Sequence, residues 1–114
     1  MTAALMAEPR DLIDAAHWER VAGFIMRENG LDWAAADSAV AEGLKFLVRC
    51  ATTPGPHSPT PEEDTGWHAL MLDSRPYMAL CDRIAGRYIH HEPTGQGCVD
   101  DGGSFCSSKC MSNT

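Results

Sequence analysis

The hydrophobic positions between Asp11 and Gly86 recur three and four residues apart, which is the period of an amphipathic helix. The first of these stripes closes at Asn29-Gly30, a pair that accepts the left-handed conformation after a last helical turn. Its apolar members are Leu12, Ile13, Ala16, Val21, Phe24 and Ile25. The pattern predicts a first helix that buries this stripe.

A second helix is predicted to open at Asp32, whose carboxylate can accept hydrogen bonds from the first-turn amides. Its buried stripe is expected to contain Ala36, Val40, Leu44, Leu47 and Val48. The positive charge of Arg49, near the end of this helix, interacts favourably with the negative end of the helix dipole. Cys50 lies beside the apolar stripe, and we interpret it as a small buried hydrophobic residue.

The segment Thr52–Gly66 interrupts the helical pattern with four prolines and two glycines. This composition favours a stiff, extended connection between helices. His57 lies inside it without an obvious partner, and Asp64 is expected to cap a third helix that carries Trp67 and His68.

Ser74 followed by Pro76 predicts a break and a restart, because proline is tolerated in a first helical turn. The fourth helix then places four residues on one face and is expected to end at Gly86. These four residues are Tyr77, Leu80, Cys81 and Ile84.

Residues 95–114 have no amphipathic period, and Phe105 is their one large aromatic side chain. Such a composition cannot bury enough apolar surface to offset the entropy of ordering, so disorder is expected. The predicted fold is all-α. A bundle of about four helices occupies residues 1–94, with a Pro-rich interhelical loop at 52–66, and a flexible tail containing Cys, Gly and Ser follows at 95–114.

Composition narrows the range of functions. The chain has 114 residues and a formal net charge of −7, which argues against nucleic-acid binding. No apolar run is long enough for a membrane span, and the start of the chain does not resemble a secretion signal. We therefore expect a cytoplasmic protein, whose five cysteines are more readily thiols, metal ligands or modification sites than disulfides. Their odd number also argues against complete internal pairing.

Residues 58–93 carry a dense pattern of specific residue types. It comprises Asp64, Trp67, His68, Tyr77, Cys81, Gly86, Tyr88, Ile89, His90, His91 and Pro93. This pattern resembles bacterial members of the glycine-rich domain-containing protein family, which are related to a repeat unit in larger plant proteins. The resemblance agrees with a helical front end. It implies no reaction, because the biochemical role of that family is poorly defined. The tail departs from the long glycine-rich extensions that the family name suggests, since it is short and richer in cysteine and serine.

Four side chains in this region are candidate ligands for zinc or another transition metal: His68, Cys81, His90 and His91. Their spacing matches no standard metal motif, so the fold would have to bring them together. Asp64 would then be a ligand, a hydrogen-bond acceptor behind a ligand, or only a helix cap. The competing interpretation is structural: Trp67 and Tyr77 meet in the core, Cys81 is buried packing, and the two adjacent histidines cap the last helix.

The tail bears three more thiols, at Cys98, Cys106 and Cys110, interleaved with serines. They would complete a soft metal site, or remain incidental in a solvated tail. A third interpretation is a precursor of a ribosomally synthesised, modified peptide, with the helical domain as leader, residues 98–114 as core and Gly102-Gly103 as a cleavage site.

The leading hypothesis is a non-enzymatic helical binding domain with a candidate transition-metal site and a thiol-bearing tail. The modified-peptide precursor is the alternative. No nucleophile–base set or cofactor-binding loop is recognisable, so no catalytic or cofactor-binding residue is predicted. The expected partner is a protein, or a modifying enzyme, with no nucleic acid and no membrane.

Overall fold

The computed structural model describes residues 8–53, 57–93 and 108–111. Within these ranges the chain forms four α-helices after a short 3-10 turn at Pro9–Asp11. The helices are α1 (Ala15–Asn29), α2 (Trp33–Thr52), α3 (Pro61–Leu72) and α4 (Ser74–Ala85). The predicted all-α bundle of about four helices is therefore confirmed.

Local side-chain chemistry sets the ends of α1 and α2. Asp14 and Asp32 precede the two helices, and each carboxylate accepts a hydrogen bond from a first-turn amide. Gly30 ends α1 with a φ of 67°, a left-handed conformation that side chains disfavour. The start at Asp32 and the stop after Asn29 are confirmed, whereas the pattern that begins at Asp11 becomes a helix only at Ala15.

The third helix begins earlier than the sequence predicts. Thr60 caps it, because its hydroxyl accepts from the Glu63 amide while the Glu63 carboxylate accepts from the Thr60 amide. Pro61 fits the first helical position, where no amide donor is needed. Asp64 therefore lies inside α3 and does not cap it. The predicted loop 52–66 is correspondingly shorter, and its residues 54–56 lie outside the described ranges.

The break before α4 occurs where the sequence predicts it. Asp73 ends α3 and precedes α4 with φ −90° and ψ 73°, which is neither helical nor extended. Gly86 ends α4 in the left-handed conformation, with a φ of 71°. The short turn at Asp73 changes the chain direction between the two helices.

The core lies where α2 packs against α1, α3 and α4. The closest approach is between α2 and α3, at Gly43 and Gly66. A Cβ atom on Gly66 would lie 1.9 Å from the Ala39 carbonyl oxygen, so the two backbones touch without side chains between them. The largest fully buried side chains are Trp67, Tyr77, Phe46, Ile25, Leu44, Leu47, Leu70, Leu80 and Ile89.

Two short strands lie beyond the helices: β1 (His90–Pro93) and β2 (Ser108–Met111). They pair antiparallel, with His90 opposite Met111 and Pro93 opposite Ser108. The sequence pattern does not predict this pairing, because backbone pairing between distant segments leaves no local periodicity. The rest of the predicted tail, residues 95–107 and 112–114, lies outside the described part of the chain.

None of the helices in the described part of the chain has the length and apolar character needed to cross a membrane.

Candidate functional site

Trp67, Tyr77 and Ile89 form a buried chain of hydrogen bonds. Trp67 Nε1 donates to the Tyr77 hydroxyl at 2.9 Å, and that hydroxyl donates to the Ile89 carbonyl. All three residues are fully buried, and the chain joins α3, α4 and the segment before β1. Because each of these polar atoms has a partner, the network fixes the Ile89 segment against the bundle.

Cys81 on α4 belongs to the same network. Burial is the largest effect on the pKa of its thiol and raises it, while the neighbouring Ile89 backbone and Tyr77 hydroxyl act to lower it. Burial also raises the pKa of Tyr77. Cys81 is free and fully buried, so it is a neutral thiol that packs in the core rather than a thiolate ready for a metal. This agrees with the structural interpretation of Cys81.

Two aromatic rings continue outward from the network. The Tyr88 ring meets Tyr77 edge-on at 5.3 Å between centroids, and the His90 ring meets Tyr88 at 4.8 Å. The Tyr88 side chain and His90 are exposed to solvent. His90 therefore covers the outer side of this aromatic series and does not reach into the core.

Asp64 and His68 lie on a different face. They are one helical turn apart on α3 and line a pocket of about 310 Å³ between α3 and the last turn of α1. The other lining residues are Phe24, Glu28, Asn29 and Thr65. His68 is exposed, and the Thr65 hydroxyl donates to the Pro61 carbonyl within the helix. The pocket is thus lined by the carboxylates of Glu28 and Asp64 and by the exposed His68.

A second cavity of about 380 Å³ shares Phe24 with this pocket and continues the groove between α1 and α3. Leu72 lines it and is 52% exposed, while Asp73 and Arg20 form an ion pair at its far end, 3.1 Å apart. We call the surface that carries the two cavities the α1–α3 groove: it is acidic at Asp64, and beyond Phe24 it presents Leu72 together with the cations Arg20 and Arg27.

Three of the four predicted metal ligands lie in separate environments. His68 lines the acidic pocket, Cys81 lies in the buried network, and His90 stacks on Tyr88. The described residues contain no group of three or more His, Cys, Asp or Glu that could hold a metal ion. His91 belongs to β1, and its side chain is outside the described set.

Cys50 differs from its predicted state. It is buried as expected, with 1% of its surface exposed, but it is disulfide-bonded. The expectation that the cysteines stay as thiols or metal ligands is therefore wrong for Cys50 and correct for Cys81. Of the tail thiols, Cys110 lies in β2 and only its backbone is described, while Cys98 and Cys106 lie outside the described residues.

Arg87 connects the segment after α4 to the end of α2. Its guanidinium donates to the Cys50 carbonyl at 3.5 Å and to the Ala85 carbonyl at 3.4 Å. Its Nε is buried without a hydrogen-bond partner within the described part of the protein. The Arg87 charge also acts against the burial effect on Cys81.

Sequence reasoning missed a polar cluster at the start of α4. His17 Nε2 lies 3.5 Å from the Asp73 carboxylate, and Arg20 pairs with the same oxygen. His17 is 5% exposed, and burial lowers its pKa. The available signal was the spacing of His17, Val21 and Ile25, which places all three on one helical face.

A partly buried ion pair between α2 and α3 was also missed. Glu63, which is 8% exposed, accepts from Arg49 at 3.1 Å besides completing the cap of α3. His57, for which the sequence suggests no partner, has its Nε2 2.9 Å from the Thr53 carbonyl.

Comparison of this chain with protein-family models, with curated proteins and with solved structures found no match.

Proposed function

We propose that the protein is a small, non-enzymatic helical domain that binds a peptide segment of a protein partner in the α1–α3 groove. In this proposal a basic side chain of the partner enters the pocket at Asp64 and His68. The observation that carries it is the composition of that pocket, which contains two carboxylates and neither lysine nor arginine among its lining residues.

The position of the pocket adds to its preference for a cation. Glu28 and Asn29 are the last two residues of α1, where the helix dipole is negative. The Asp64 carboxylate faces them from α3. A lysine or arginine side chain matches this field, and the overall charge of −7 attracts basic partners over longer distances.

The rest of the groove supports a ligand longer than one side chain. Phe24 lies between the two cavities, and Leu72 offers exposed apolar surface beyond it. A peptide with a basic residue followed by an apolar residue would place its charge at Asp64 and its apolar side chain against Leu72. Apolar contacts flanking a few well-placed charges are typical of peptide-binding sites.

The test is an NMR titration of the full chain with short acetylated peptides that contain Arg-Leu, Lys-Leu or Gln-Leu. We expect the Arg and Lys peptides to shift the amides of Glu28, Thr65 and His68. The double variant Glu28→Gln/Asp64→Asn should weaken this binding by about tenfold.

The matched control is Glu42→Gln, which changes the charge on α2, where Glu42 pairs with Lys45. This variant should bind as the wild type does. Equal binding of the Gln-Leu peptide, or an equal loss of affinity in the Glu42 variant, would show that the pocket does not select a basic side chain.

The transition-metal site at His68, Cys81, His90 and His91 stays a prediction, as does zinc as its occupant. Metal analysis of untagged protein beside His68→Ala and His90→Ala tests it. A stoichiometric metal that is lost in these variants is the result that the metal hypothesis requires, and substoichiometric metal unaffected by either substitution would remove it.

The modified-peptide precursor also stays a prediction. The intact mass of the native protein tests it, since a modified or shortened tail is required. A cytoplasmic location is likewise a prediction, and the disulfide at Cys50 weighs against it because stable disulfides are typical of oxidising compartments.

A further inference from the structure

The cavity that Leu72 lines contains two arginines in different states. Arg20 is already paired, since its Nε and Nη2 both donate to one Asp73 oxygen, at 3.2 and 3.1 Å. The exposed guanidinium of Arg27 has no such partner among the residues that the structure describes. Arg27 is therefore the cation of this cavity that remains available to a ligand.

Gly23 allows the Arg27 charge to lie close to the cavity wall. The two residues are one turn apart on α1, and Arg27 Nη1 lies 3.5 Å from the position that a Cβ on Gly23 would take. The guanidinium is thus folded back along the helix to the level of Gly23. Phe24 and Leu72 line the same cavity, so a cation and apolar surface lie within one site.

The carboxylates of this cavity lie toward its other end. Asp73 is paired with Arg20. Glu19 precedes Gly23 by one helical turn, which is about 6 Å along the axis at about 1.5 Å per residue. Because electrostatic interactions weaken with distance, Arg27 acts more strongly than Glu19 on a ligand group placed at Gly23.

The Arg20–Asp73 ion pair also limits the path of a bound peptide. It joins α1 to the residue that ends α3, at the end of the groove opposite Asp64. A peptide that runs from Asp64 past Phe24 meets this bridge between the two walls. The end of a chain fits this place better than a segment that continues in both directions.

A C-terminal apolar residue matches the cavity that remains. Its side chain and its carboxylate are attached to the same carbon, so they need apolar surface and a cation close together. Leu72, which is 52% exposed, supplies the surface, and Arg27 supplies the cation. Guanidinium groups bind carboxylates with two parallel hydrogen bonds. An N-terminal amine would instead bring a like charge to Arg27.

We propose that the α1–α3 groove binds the free C-terminus of a partner protein. Arg27 binds the terminal carboxylate, and Leu72 contacts the last side chain, which is apolar. This inference rests on the proposed peptide groove, in which Asp64 receives the preceding basic residue. It adds the direction of the peptide, from Asp64 toward Arg27, and it restricts the partner segment to one that ends its chain.

The test compares two forms of one short acetylated peptide that ends in Arg-Leu, one with a free C-terminal carboxylate and one with a C-terminal amide. Both are titrated into the full chain and followed by NMR. The acid form should bind about tenfold more tightly, since one hydrogen-bonded charge pair contributes on this scale. Its additional shifts should appear at the Gly23 amide and at Arg27 Nε.

Two variants assign the preference to one side chain. Arg27→Gln removes the cation, and the acid and amide forms should then bind with similar affinity. Lys45→Gln is the matched control, because it removes the same charge from α2, outside both cavities. This control should keep the preference for the acid form.

Equal affinity of the wild type for the acid and the amide would overturn the inference, as would an undiminished preference in Arg27→Gln. A third peptide, amidated and ending in Arg-Leu-Glu, offers the carboxylate on a side chain instead. If it binds as tightly as the free acid, Arg27 recognises acidic side chains and the C-terminus is not required, which also overturns the inference.

The same peptides test the proposed groove separately. The amide form still contains the basic residue, and its binding should weaken in Glu28→Gln/Asp64→Asn. Binding of the amide that this double variant leaves unchanged would refute the basic pocket, whereas equal binding of acid and amide would refute only the recognition of the C-terminus. If neither form binds, both proposals are wrong.

Discussion

A single hydroxyl group, that of Tyr77, connects three segments of this protein. It accepts a hydrogen bond from Trp67 on α3, belongs to α4, and donates to the Ile89 carbonyl ahead of β1. Its partners are fully buried, so water cannot replace it when it is removed. Trp67, Tyr77 and Ile89 therefore have a structural role in this region.

Replacing Tyr77 by phenylalanine tests this role. The ring remains, but Trp67 Nε1 and the Ile89 carbonyl lose their partner, and each buried unsatisfied group costs about 1–3 kcal/mol. We expect the free energy of unfolding in urea to fall by about 2–4 kcal/mol. Tyr88→Phe is the control, since Tyr88 is 37% exposed and its change should stay within about 0.5 kcal/mol. A Tyr77 variant as stable as the Tyr88 variant would contradict the network.

The buried His17 predicts a pH dependence of stability. Asp73 and Asp14 raise its pKa and Arg20 and Arg83 lower it, but burial is the largest effect and the pKa is lowered from its usual 6.5.

The unfolded chain therefore takes up a proton at His17 more readily than the folded chain does. The stability from the neutral side chain is present above about pH 6.5 and is lost as the pH falls toward the folded-state pKa. Urea unfolding between about pH 5 and 7.5 should show this decline. In His17→Gln, the free energy of unfolding should fall less over that pH range than in the wild type. An identical pH dependence in the two proteins would mean that groups other than His17 cause the decline.

At the scale of elements, the crossing of α2 and α3 determines the shape of the bundle. Gly43 and Gly66 face each other there, and a Cβ on Gly43 would lie 2.7 Å from the Gly66 carbonyl carbon. A Cβ on Gly43 would meet the Gly66 carbonyl carbon, and a Cβ on Gly66 would meet the Ala39 carbonyl oxygen. Both are backbone atoms, which cannot move aside as a side chain can. The close approach also positions the rest of α3, because Trp67 follows Gly66 directly and Asp64 and His68 lie on the same helix.

Gly66→Ala should separate α2 from α3. The new methyl group overlaps the Ala39 carbonyl, and overpacking of this kind costs about 1–3 kcal/mol or more. We expect a loss at or above the upper end of this range in urea unfolding. Gly23→Ala is the matched control on α1, where the nearest atom is Arg27 Nη1 at 3.5 Å. Helix propensity should stabilise that variant by up to about 1 kcal/mol. Equal effects of the two substitutions would mean that the crossing is not tight.

At the scale of the whole molecule, the Cys50 disulfide adds a covalent restraint to the helical core. The helices supply the core, and they are contiguous in the first part of the chain. The disulfide is a cross-link that begins in the last turn of α2. Such a bond restricts the unfolded chain more than the folded one.

Reduction is therefore expected to lower the global stability. A disulfide typically contributes about 2–4 kcal/mol, chiefly by restricting the unfolded chain. The midpoint of urea unfolding should fall when dithiothreitol is added to the wild type, and it should not move in Cys50→Ala. A reductant effect of the same size in Cys50→Ala would have to come from another bond.

Helix periods and helix ends are local, and the sequence alone identifies most of them. Asp32, Gly30 and Gly86 act on their immediate neighbours, so their residue types are sufficient to predict a start and two stops. The core face of α1 is less well predicted. Ala16 is exposed and His17 is buried, because His17 and not Ala16 is in phase with Val21. The start of α3 was predicted too late because Asp64 and Thr60 are both good capping residues, and only Thr60 has its reciprocal partner at Glu63.

The candidate sites depend on contacts between residues far apart in the chain, and only the tertiary structure decides these. Glu28 joins Asp64 and His68 in one pocket because α1 packs beside α3. Cys81 contacts Tyr77 and Ile89, and the described residues bring together no metal-binding group. The sequence by itself determined an all-α bundle, because its apolar residues recur with the period of about 3.6 residues that is typical of helices. It did not determine the disulfide at Cys50 or the pairing of β2 with β1, because neither leaves a repeating local pattern.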